Sequence, residues 1–301
     1  MAFDLTLRQL RYFAAAAQTG QFSMAAANEH VSQSAITNAV LALENGLGTR
    51  LFERLPQGVT LTPDGQDFYN HARRVLDAAR DAVHKPPFRS HDMRGAVRIA
   101  ASYTVLGYFL PELLARFRAT YPFIEFDLRD MERVDIERAV LDGDVDIGVV
   151  LLSNIEKLSR FSSQVLIRSR RQLWVAPTHP LAQVDAPSLK DIAAHPYILI
   201  TVDEGEQSTL RYWKKKGLVP NIAFRTSSME ALRGLVAHGF GVTVLSDMVF
   251  RPWSLEGNRI EARPVLDAVP QMDAGMIWQK GAQLSGPATA LQQFLIHACG
   301  T

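Results

Sequence analysis

The chain has 301 residues, of which 47% are hydrophobic and 21% are charged, and its formal net charge is +1. This length predicts two domains with a core each, and the composition gives no sign of long disordered segments. No uncharged apolar stretch reaches the roughly 18 residues of a membrane-spanning helix. Asp4, Arg8 and Arg11 interrupt the start of the chain, where a secretory signal needs an apolar run, so we expect a cytoplasmic protein.

The residue types that carry catalysis or bind metals do not form recognisable patterns. Cys299 is the single cysteine, which excludes an internal disulfide. The eight histidines include no pair at i, i+4 spacing, so no metal site is predicted. Gly239 and Gly241 begin like a dinucleotide-binding motif but lack its third glycine and precede a predicted strand. With no G-x-S-x-G motif or arranged nucleophile either, the sequence predicts neither an enzyme nor a bound cofactor.

Residues 1–62 are predicted to form a winged helix-turn-helix, an all-α-type head with a small wing. The first helix has one apolar stripe, formed by Leu7, Leu10, Phe13, Ala14 and Ala17. A second helix is predicted over residues 23–30, capped by Ser23, and a third helix begins at Ser32 or Ser34. After these helices, residues 51–65 predict a short hairpin with its turn at residues 56–58.

The third helix divides into a core face and a polar face. Ile36, Val40, Leu43 and Leu47 follow a four, three, four spacing and so share one stripe. The second helix of a helix-turn-helix reads base edges in a major groove with its polar face, although a helical hairpin packed on another core remains an alternative. The predicted DNA-contacting residues are Ser32, Gln33, Ser34, Thr37, Asn38 and Leu41 from the helix and Arg54 and Gln57 from the wing.

Several short motifs in this region occur in the order that one known family shows. They are LRYF (10–13), GQFSMAA (20–26), SQSAIT (32–37), LE (43–44), LG (47–48), LFER (51–54) and LTPDG (61–65). Together they resemble the amino-terminal signature of LysR-type transcriptional regulators. The resemblance implies promoter DNA and a small-molecule effector as partners, a homodimer or homotetramer, and a sensor domain of two lobes like type 2 periplasmic binding proteins.

The charge of the predicted head departs from that family. Residues 1–90 contain nine Lys and Arg residues against eight Asp and Glu residues. The family usually has a basic residue where this chain has Asn38, and often basic residues in the wing where it has Pro56 and Gln57. We therefore expect weak non-specific DNA binding with a shallow salt dependence, and specificity from hydroxyl and amide contacts and DNA shape. The alternative is that the head has lost tight DNA binding.

Residues 63–90 are predicted to form a long linker helix and a hinge. Apolar and small residues recur at heptad-like spacing through residues 63–84, and residues 85–89 (KPPFR) end the helix. The family resemblance implies dimerisation through an antiparallel pair of such helices, whereas a helix packed on its own domain is the alternative. The predicted dimer contacts are Phe68, Ala72, Val75 and Ala79.

Residues 91–301 alternate strands and helices and predict an α/β effector-binding domain. Parallel βαβ units are expected over residues 95–150, with a kink or a late start of the helix at Pro111. The two lobes are predicted as about residues 91–162 with 266–301, and about residues 163–265.

The effector is expected where strands of the two lobes end. Ser102, Tyr103 and Thr104 lie between a strand and a helix amino terminus, which favours an anion. Matching the family position by position implies that Ser102, Thr104 and Thr201 bind the effector, although all these hydroxyls could instead be helix caps. The full set of predicted effector contacts is Ser102, Tyr103, Thr104, Val150, Leu151, Thr201 and Ser227. A small carboxylate with an apolar or aromatic body fits best.

Three functions follow from these patterns. The leading interpretation is an effector-responsive transcription factor of the LysR type. The second is a soluble small-molecule-binding protein with weak or lost DNA binding, and the third is an enzyme built on the two-lobed fold.

Overall fold

The computed structural model describes residues 5–55, 58–83 and 92–299 of the chain. The chain forms two compact units, Met1–Pro86 and Pro87–Thr301. The predicted linker region, residues 63–90, therefore falls mostly within the first unit. Within the described ranges, none of the helices combines the length and the apolar character of a membrane span.

The described part of the first unit holds four helices and a hairpin in the predicted order. These are α1 (Leu7–Thr19), α2 (Phe22–Asn28), α3 (Gln33–Leu47), the antiparallel strands β1 (Phe52–Leu55) and β2 (Gly58–Leu61), and α4 (Pro63–Val83). α1 begins at a capping box, in which the Thr6 hydroxyl accepts the backbone N–H of Gln9 at 3.2 Å. The first three helices and the hairpin form the winged helix-turn-helix that the sequence predicts.

Aromatic rings and the inner face of α3 form the core of this unit. The ring of Phe13 is fully buried and lies 5.2 Å from the ring of Phe52 and 5.0 Å from that of Phe68, measured between centroids. Three predicted core residues of α3 are buried, namely Ile36, Val40 and Leu43. The prediction for Leu47 was wrong: it is exposed, because α3 ends there and Gly48 turns the chain away with a φ of 70°.

Two further details of the first unit differ from the predictions. α2 begins at Phe22, and no side chain caps it, so Ser23 lies inside the helix and is not its cap. Leu7 is exposed rather than part of the buried stripe of α1. By contrast, Ser32 caps α3 as one of the two predicted starts requires, because its hydroxyl accepts the N–H of Ala35 at 3.2 Å.

α4 packs against its own unit. Ala72 is only 1% exposed and joins the core around Phe13, and the half-buried Phe68 packs against the same core. Ala72 therefore cannot face a partner as predicted. Val75 is 45% exposed and Ala79 is half-buried, so these two predicted dimer contacts keep accessible surface in the single chain.

The described part of the second unit has ten strands and seven α-helices. The strands are β3 (Gly95–Ala101), β4 (Ile124–Asp130), β5 (Ile147–Leu151), β6 (Phe161–Ser169), β7 (Arg171–Val175), β8 (Pro196–Ile200), β9 (Asn221–Thr226), β10 (Thr243–Ser246), β11 (Glu261–Pro264) and β12 (Met272–Gln279). The helices are α5 (Tyr103–Tyr108), α6 (Leu110–Thr120), α7 (Arg133–Asp142), α8 (Leu189–Ala193), α9 (Gly205–Lys215), α10 (Met229–Ala237) and α11 (Gly286–Cys299).

The first lobe is built on a five-stranded sheet with the order β4-β3-β5-β12-β6. β3 pairs in parallel with β4 and β5, as the predicted βαβ units require, and β12 runs antiparallel to β5 and β6. All of β6 belongs to this sheet, so the lobe boundary predicted at residue 163 was wrong. The chain enters the second lobe only after Ser169.

In the second lobe, β7 pairs antiparallel with β10 and β11, and β8 pairs in parallel with β9. A single parallel bridge between Tyr197 and Val242 connects these two groups of strands. The indole rings of Trp174 and Trp213 are fully buried in this lobe.

Pro111 marks the boundary between α5 and α6 in the first lobe. It lies in the first turn of α6, where its missing N–H has no helical partner to lose. Of the two alternatives predicted here, a kink or a late start, the structure shows an interruption at Phe109, because α5 is already helical before it and α6 begins at Leu110.

Candidate functional site

The first unit presents the predicted reading residues on one exposed face of α3. Gln33, Ser34, Asn38 and Leu41 are exposed, and Thr37 is half-buried. The hydroxyl of Ser34 lies 2.9 Å from that of Ser32, and the hydroxyl of Thr37 donates to the carbonyl of Gln33 at 3.0 Å. These three hydroxyls are therefore already engaged, which leaves the amides of Gln33 and Asn38 as the more available polar groups.

A cleft of about 310 Å³ opens between the start of α3, the start of α2 and the wing. Its walls are formed by Gln21, Phe22, Ser23, Gln33, Arg54, Gly58 and Val59. The cleft brings together Gln33 and Arg54, which the sequence assigned to the helix and the wing separately. Gln57, the remaining predicted contact, lies outside the described residues.

Close backbone contacts fix the wing against the turn after α1. The N–H of Val59 donates to the carbonyl of Gly20 at 2.7 Å. A Cβ atom at Gly58 would lie 2.3 Å from the same carbonyl oxygen, and the φ of Gly58 is 147°, so only glycine fits here. These glycines allow the wing to pack closely against the turn after α1.

The second unit contains a small cavity between its two lobes, here named the interlobe cavity. Its volume of about 30 Å³ is room for roughly one or two water molecules. The first lobe contributes Thr104, Leu151, Asn154 and Met272, and the second contributes Arg171, Ile200, Val202, Asp203, Gly205, Ser208, Thr209, Met229, Leu245, Ser246 and Val249. The walls thus combine hydroxyls, one cation and one carboxylate with an apolar surface.

Polar contacts across the cavity connect the two lobes. The carboxylate of Asp203 accepts the backbone N–H of Thr104 at 2.7 Å, and the Asn154 amide donates to the carbonyl of Asp203 at 2.7 Å. Next to them, the guanidinium of Arg133 donates to the carboxylate of Glu204 at 2.9 Å. Both acidic residues have left-handed backbones, with φ of 50° for Asp203 and 54° for Glu204, a conformation that costs about 1–2 kcal/mol per residue.

The structure brings only some of the predicted effector residues to this cavity. Thr104 and Leu151 line it, and Ser102 is buried at the start of α5 with a hydroxyl that has no hydrogen-bond partner among the described residues. Val150 instead faces the core formed with α7, because successive residues of a strand point to opposite sides. The predicted position of Val150 in the crevice wall was therefore wrong.

The other predicted effector residues lie away from the cavity walls. Tyr103 is 40% exposed. The partial burial that remains raises the pKa of its hydroxyl. The backbone N–H of Thr201 donates to the carbonyl of Thr226 at 3.0 Å. Ser227 is exposed. Ser228, the neighbour of Ser227, caps α10, because its hydroxyl accepts the Ala231 N–H at 3.1 Å.

Sequence reasoning missed the two charged residues of the interlobe cavity. Asp203 lies three positions after the end of β8, close to Thr201, which the sequence did assign to the effector site. Its position in the sequence could therefore have identified it. Arg171 begins β7 at the point where the chain crosses between lobes, but only the tertiary structure shows that its side chain is buried.

The fold and these two sites define a DNA-binding regulator with a ligand-binding domain. A family model described as the bacterial regulatory helix-turn-helix protein, lysR family, matches residues 7–66, and one described as the LysR substrate binding domain matches residues 90–300. The chain therefore belongs to the LysR family of transcriptional regulators.

Known proteins of this family match the chain over nearly its whole length. The uncharacterized HTH-type transcriptional regulator YeiE of Escherichia coli (strain K12) is 30% identical over 97% of this chain and 96% of its own. The transcriptional dual regulator GltC of Bacillus subtilis (strain 168) is 29% identical over 97% of both. The crystal structure of HinK, a LysR family transcriptional regulator from Pseudomonas aeruginosa, matches with a TM-score of 0.61 and 28% identity, covering 97% of this chain and 98% of that one.

Proposed function

We propose that this regulator controls promoter activity in response to a small carboxylate bound in the interlobe cavity. The observation that carries the proposal is the cavity itself, which lies between two lobes and combines an apolar wall with hydroxyls and a cation. Such a mixture suits a ligand with one polar end and an apolar body. As a DNA-bound regulator, the protein would act in the cytoplasm, and its family of transcriptional regulators supports no enzymatic role.

Effector binding is proposed to act by changing how closely the two lobes approach, because a cavity of about 30 Å³ must widen to admit the ligand. A ligand shifts such an equilibrium only by its difference in affinity for the two states. The bonds from Asp203 to Thr104 and from Arg133 to Glu204 form only when the lobes are close, so they define one of these states. A change in lobe closure would then alter subunit packing and the spacing of the reading helices on DNA.

We also propose that the functional form is a homodimer or homotetramer. The exposed Val75 and the half-buried Ala79 on α4 are the predicted contacts that keep surface for a second copy. A dimer supplies two α3 helices for two half-sites that are one or more helical turns apart.

DNA reading by the amides of α3 can be tested with one pair of variants. Asn38→Ala removes an exposed amide from α3, whereas Asn70→Ala removes an exposed amide from α4. Each good base contact contributes about 1–3 kcal/mol, so we expect Asn38→Ala to weaken specific binding about 5- to 150-fold and Asn70→Ala to leave it unchanged. The measurement is fluorescence anisotropy on the intergenic DNA upstream of the gene against scrambled DNA, at two salt concentrations.

The alternative, a small-molecule-binding protein with weak or lost DNA binding, predicts a different result. The wild-type chain would then bind both DNAs weakly and equally, and Asn38→Ala would change nothing. That outcome would contradict the proposed regulation of this promoter. Only the proposed binding of a small molecule would then remain.

A further inference from the structure

Arg171 is a buried cation in the wall of the interlobe cavity. Arg171 is only 8% exposed. Its guanidinium donates to the Ser208 hydroxyl at 2.7 Å and to the Pro270 carbonyl at 3.1 Å. It also lies over the ring of Tyr212, with 5.2 Å to the ring centroid. A guanidinium has five N–H donors, so these neutral partners leave donors for a ligand.

A second buried arginine of the same lobe shows what Arg171 lacks. Arg233 is 1% exposed, and its guanidinium forms an ion pair with Glu230 and donates to the Val249 carbonyl at 2.8 Å. Among the described residues, no carboxylate forms an ion pair with Arg171. A buried charge is costly unless an opposite charge compensates it, and burial accordingly lowers the pKa of the Arg171 guanidinium.

The other place in the cavity that favours an anion is already occupied. The backbone N–H of Thr104, at the start of α5, donates to the carboxylate of Asp203. Asp203 and Arg171 both line the cavity, but these two described residues form no ion pair within 4.0 Å. An incoming anion would therefore compete with Asp203 at Thr104 but would find an uncompensated cation at Arg171.

We infer that Arg171 is the residue that binds the carboxylate of the effector, with Ser208 beside it and the apolar body of the ligand against Ile200, Met229 and Leu245. A planar carboxylate accepts two parallel N–H groups from a guanidinium and also neutralises its charge. An amide of the same shape is uncharged and cannot neutralise it. This inference rests on the proposed function, since it names the anchor of the effector at the same site.

The test compares Arg171→Met with Arg170→Met in the full chain. Both variants remove one positive charge, but Arg170 is exposed and adjacent, so it is a matched control. The melting temperature is measured with increasing butyrate and phenylacetate, with their amides, and with inorganic phosphate and sulfate, against sodium chloride at equal ionic strength. A ligand that binds the folded state raises the melting temperature in a saturable way.

We expect both wild type and Arg170→Met to be stabilised by at least one of the two carboxylates and not by the corresponding amide. In Arg171→Met the apparent Kd should weaken at least about tenfold, the loss typical of a hydrogen bond to a charged group. Without ligand, Arg171→Met should melt at or above the wild-type temperature, because it removes an uncompensated buried charge. A merely structural Arg171 would give a lower melting temperature instead.

Several outcomes would overturn the inference. These are an equal carboxylate response in Arg171→Met, no carboxylate response in the wild type, or a saturable response to phosphate or sulfate alone. If Arg171→Met does not fold, Arg171→Lys replaces it, and it must keep the charge-dependent response with weaker affinity. Specific DNA binding, measured on the same samples, distinguishes failure of the proposed function from failure of this inference. Loss of specific DNA binding contradicts the proposed function. Specific DNA binding without a carboxylate response contradicts only the role of Arg171.

Discussion

At the start of α5, the backbone N–H of Thr104 donates to a carboxylate that belongs to the chain itself. Asp203, the acceptor, is buried and lies 99 positions further along the sequence. Its φ of 50° would be strained for most residues but is tolerated by Asp and Asn, whose short polar side chains bond locally. The side chain of Asp203 therefore contributes to the contact between the lobes and also fills the anion position that the sequence assigned to the effector.

Substitutions at Asp203 should separate its two roles at the residue scale. Asp203→Ala leaves the buried N–H of Thr104 without an acceptor and places Ala in a left-handed conformation, so we expect a loss of about 1–3 kcal/mol in the free energy of unfolding. Asp203→Asn keeps an acceptor oxygen and tolerates the backbone, so its loss should be less than half as large. Denaturant unfolding of the full chain, followed by the buried tryptophans of the second unit, measures both. Equal losses would contradict the bond to Thr104 as their cause.

At the scale of elements, the joint between the wing and α4 depends on close backbone packing. The hydroxyl of Thr62 donates to the Arg50 carbonyl at 2.8 Å and accepts the Gly65 N–H at 2.9 Å. A Cβ atom at Gly65 would lie 2.0 Å from the carbonyl oxygen of Leu51, a contact that only backbone movement can relieve. The glycine of the LTPDG motif is thus required where the first turn of α4 crosses the chain before β1.

Gly65→Ala should therefore destabilise the first unit by about 1–3 kcal/mol, as overpacking does in other tightly packed sites. The neighbouring Gln66→Ala changes an exposed residue of the same turn and should stay within about 0.5 kcal/mol of wild type. Thermal unfolding by calorimetry measures both variants. A Gly65→Ala protein as stable as Gln66→Ala would show that α4 can shift away from Leu51.

A short 3₁₀ helix in the second lobe, Pro180–Gln183, should make stability depend on pH. The Nδ1 atom of His179 accepts the Leu181 N–H at 3.2 Å, and its ring packs 4.6 Å from that of His195, measured between centroids. Burial, followed by the nearby His195, lowers the pKa of His179. The unfolded chain therefore binds this proton more readily, and stability falls as the pH drops below about 6.5, the ordinary value.

His179→Asn keeps a cap acceptor but removes the titrating ring. Between pH 7 and pH 5, its free energy of unfolding should fall less than that of wild type. These two pH values bracket the ordinary histidine pKa of about 6.5. His238→Asn, at an exposed ring of the same lobe, is the control for replacing a histidine by asparagine. Urea unfolding at a series of pH values gives the slopes. Parallel curves for His179→Asn and wild type would exclude His179 as the cause.

Elements were predictable from sequence wherever local patterns determine them. The stripe of Ile36, Val40 and Leu43 and the Ser32 cap depend on residues within one helix, and both are present. Some errors are local, such as the end of α3 at Leu47 and the cap of α2, whereas the others concern distant contacts. β6 joins the first sheet by pairing with β12, more than a hundred residues later in the chain, and no local periodicity encodes that choice. The burial of Arg171 and the bond between Asp203 and Thr104 likewise depend on how the lobes close.

At the scale of the whole molecule, charge is the property in which this protein departs from a strongly basic DNA-binding chain. The formal net charge is +1, and one arginine of the first unit, Arg11, is already paired with Glu29 at 2.8 Å. The reading face of α3 offers amides and hydroxyls, and Arg54 is the cation that lines the adjoining cleft. Affinity that comes from counterion release should therefore be small.

Asn38→Arg should convert this weakly charged reader into a more conventional one. A new cation on the exposed face of α3 would neutralise about one phosphate per protomer, so the plot of log K against log salt should steepen by about 0.9 per protomer. Binding to scrambled DNA should tighten more than binding to the promoter, because phosphate contacts carry no sequence information. Asn70→Arg, which adds the same charge on α4, is the control. Anisotropy titrations over a range of salt concentrations give both slopes, and equal slopes for the two variants would show that Asn38 does not face the DNA backbone.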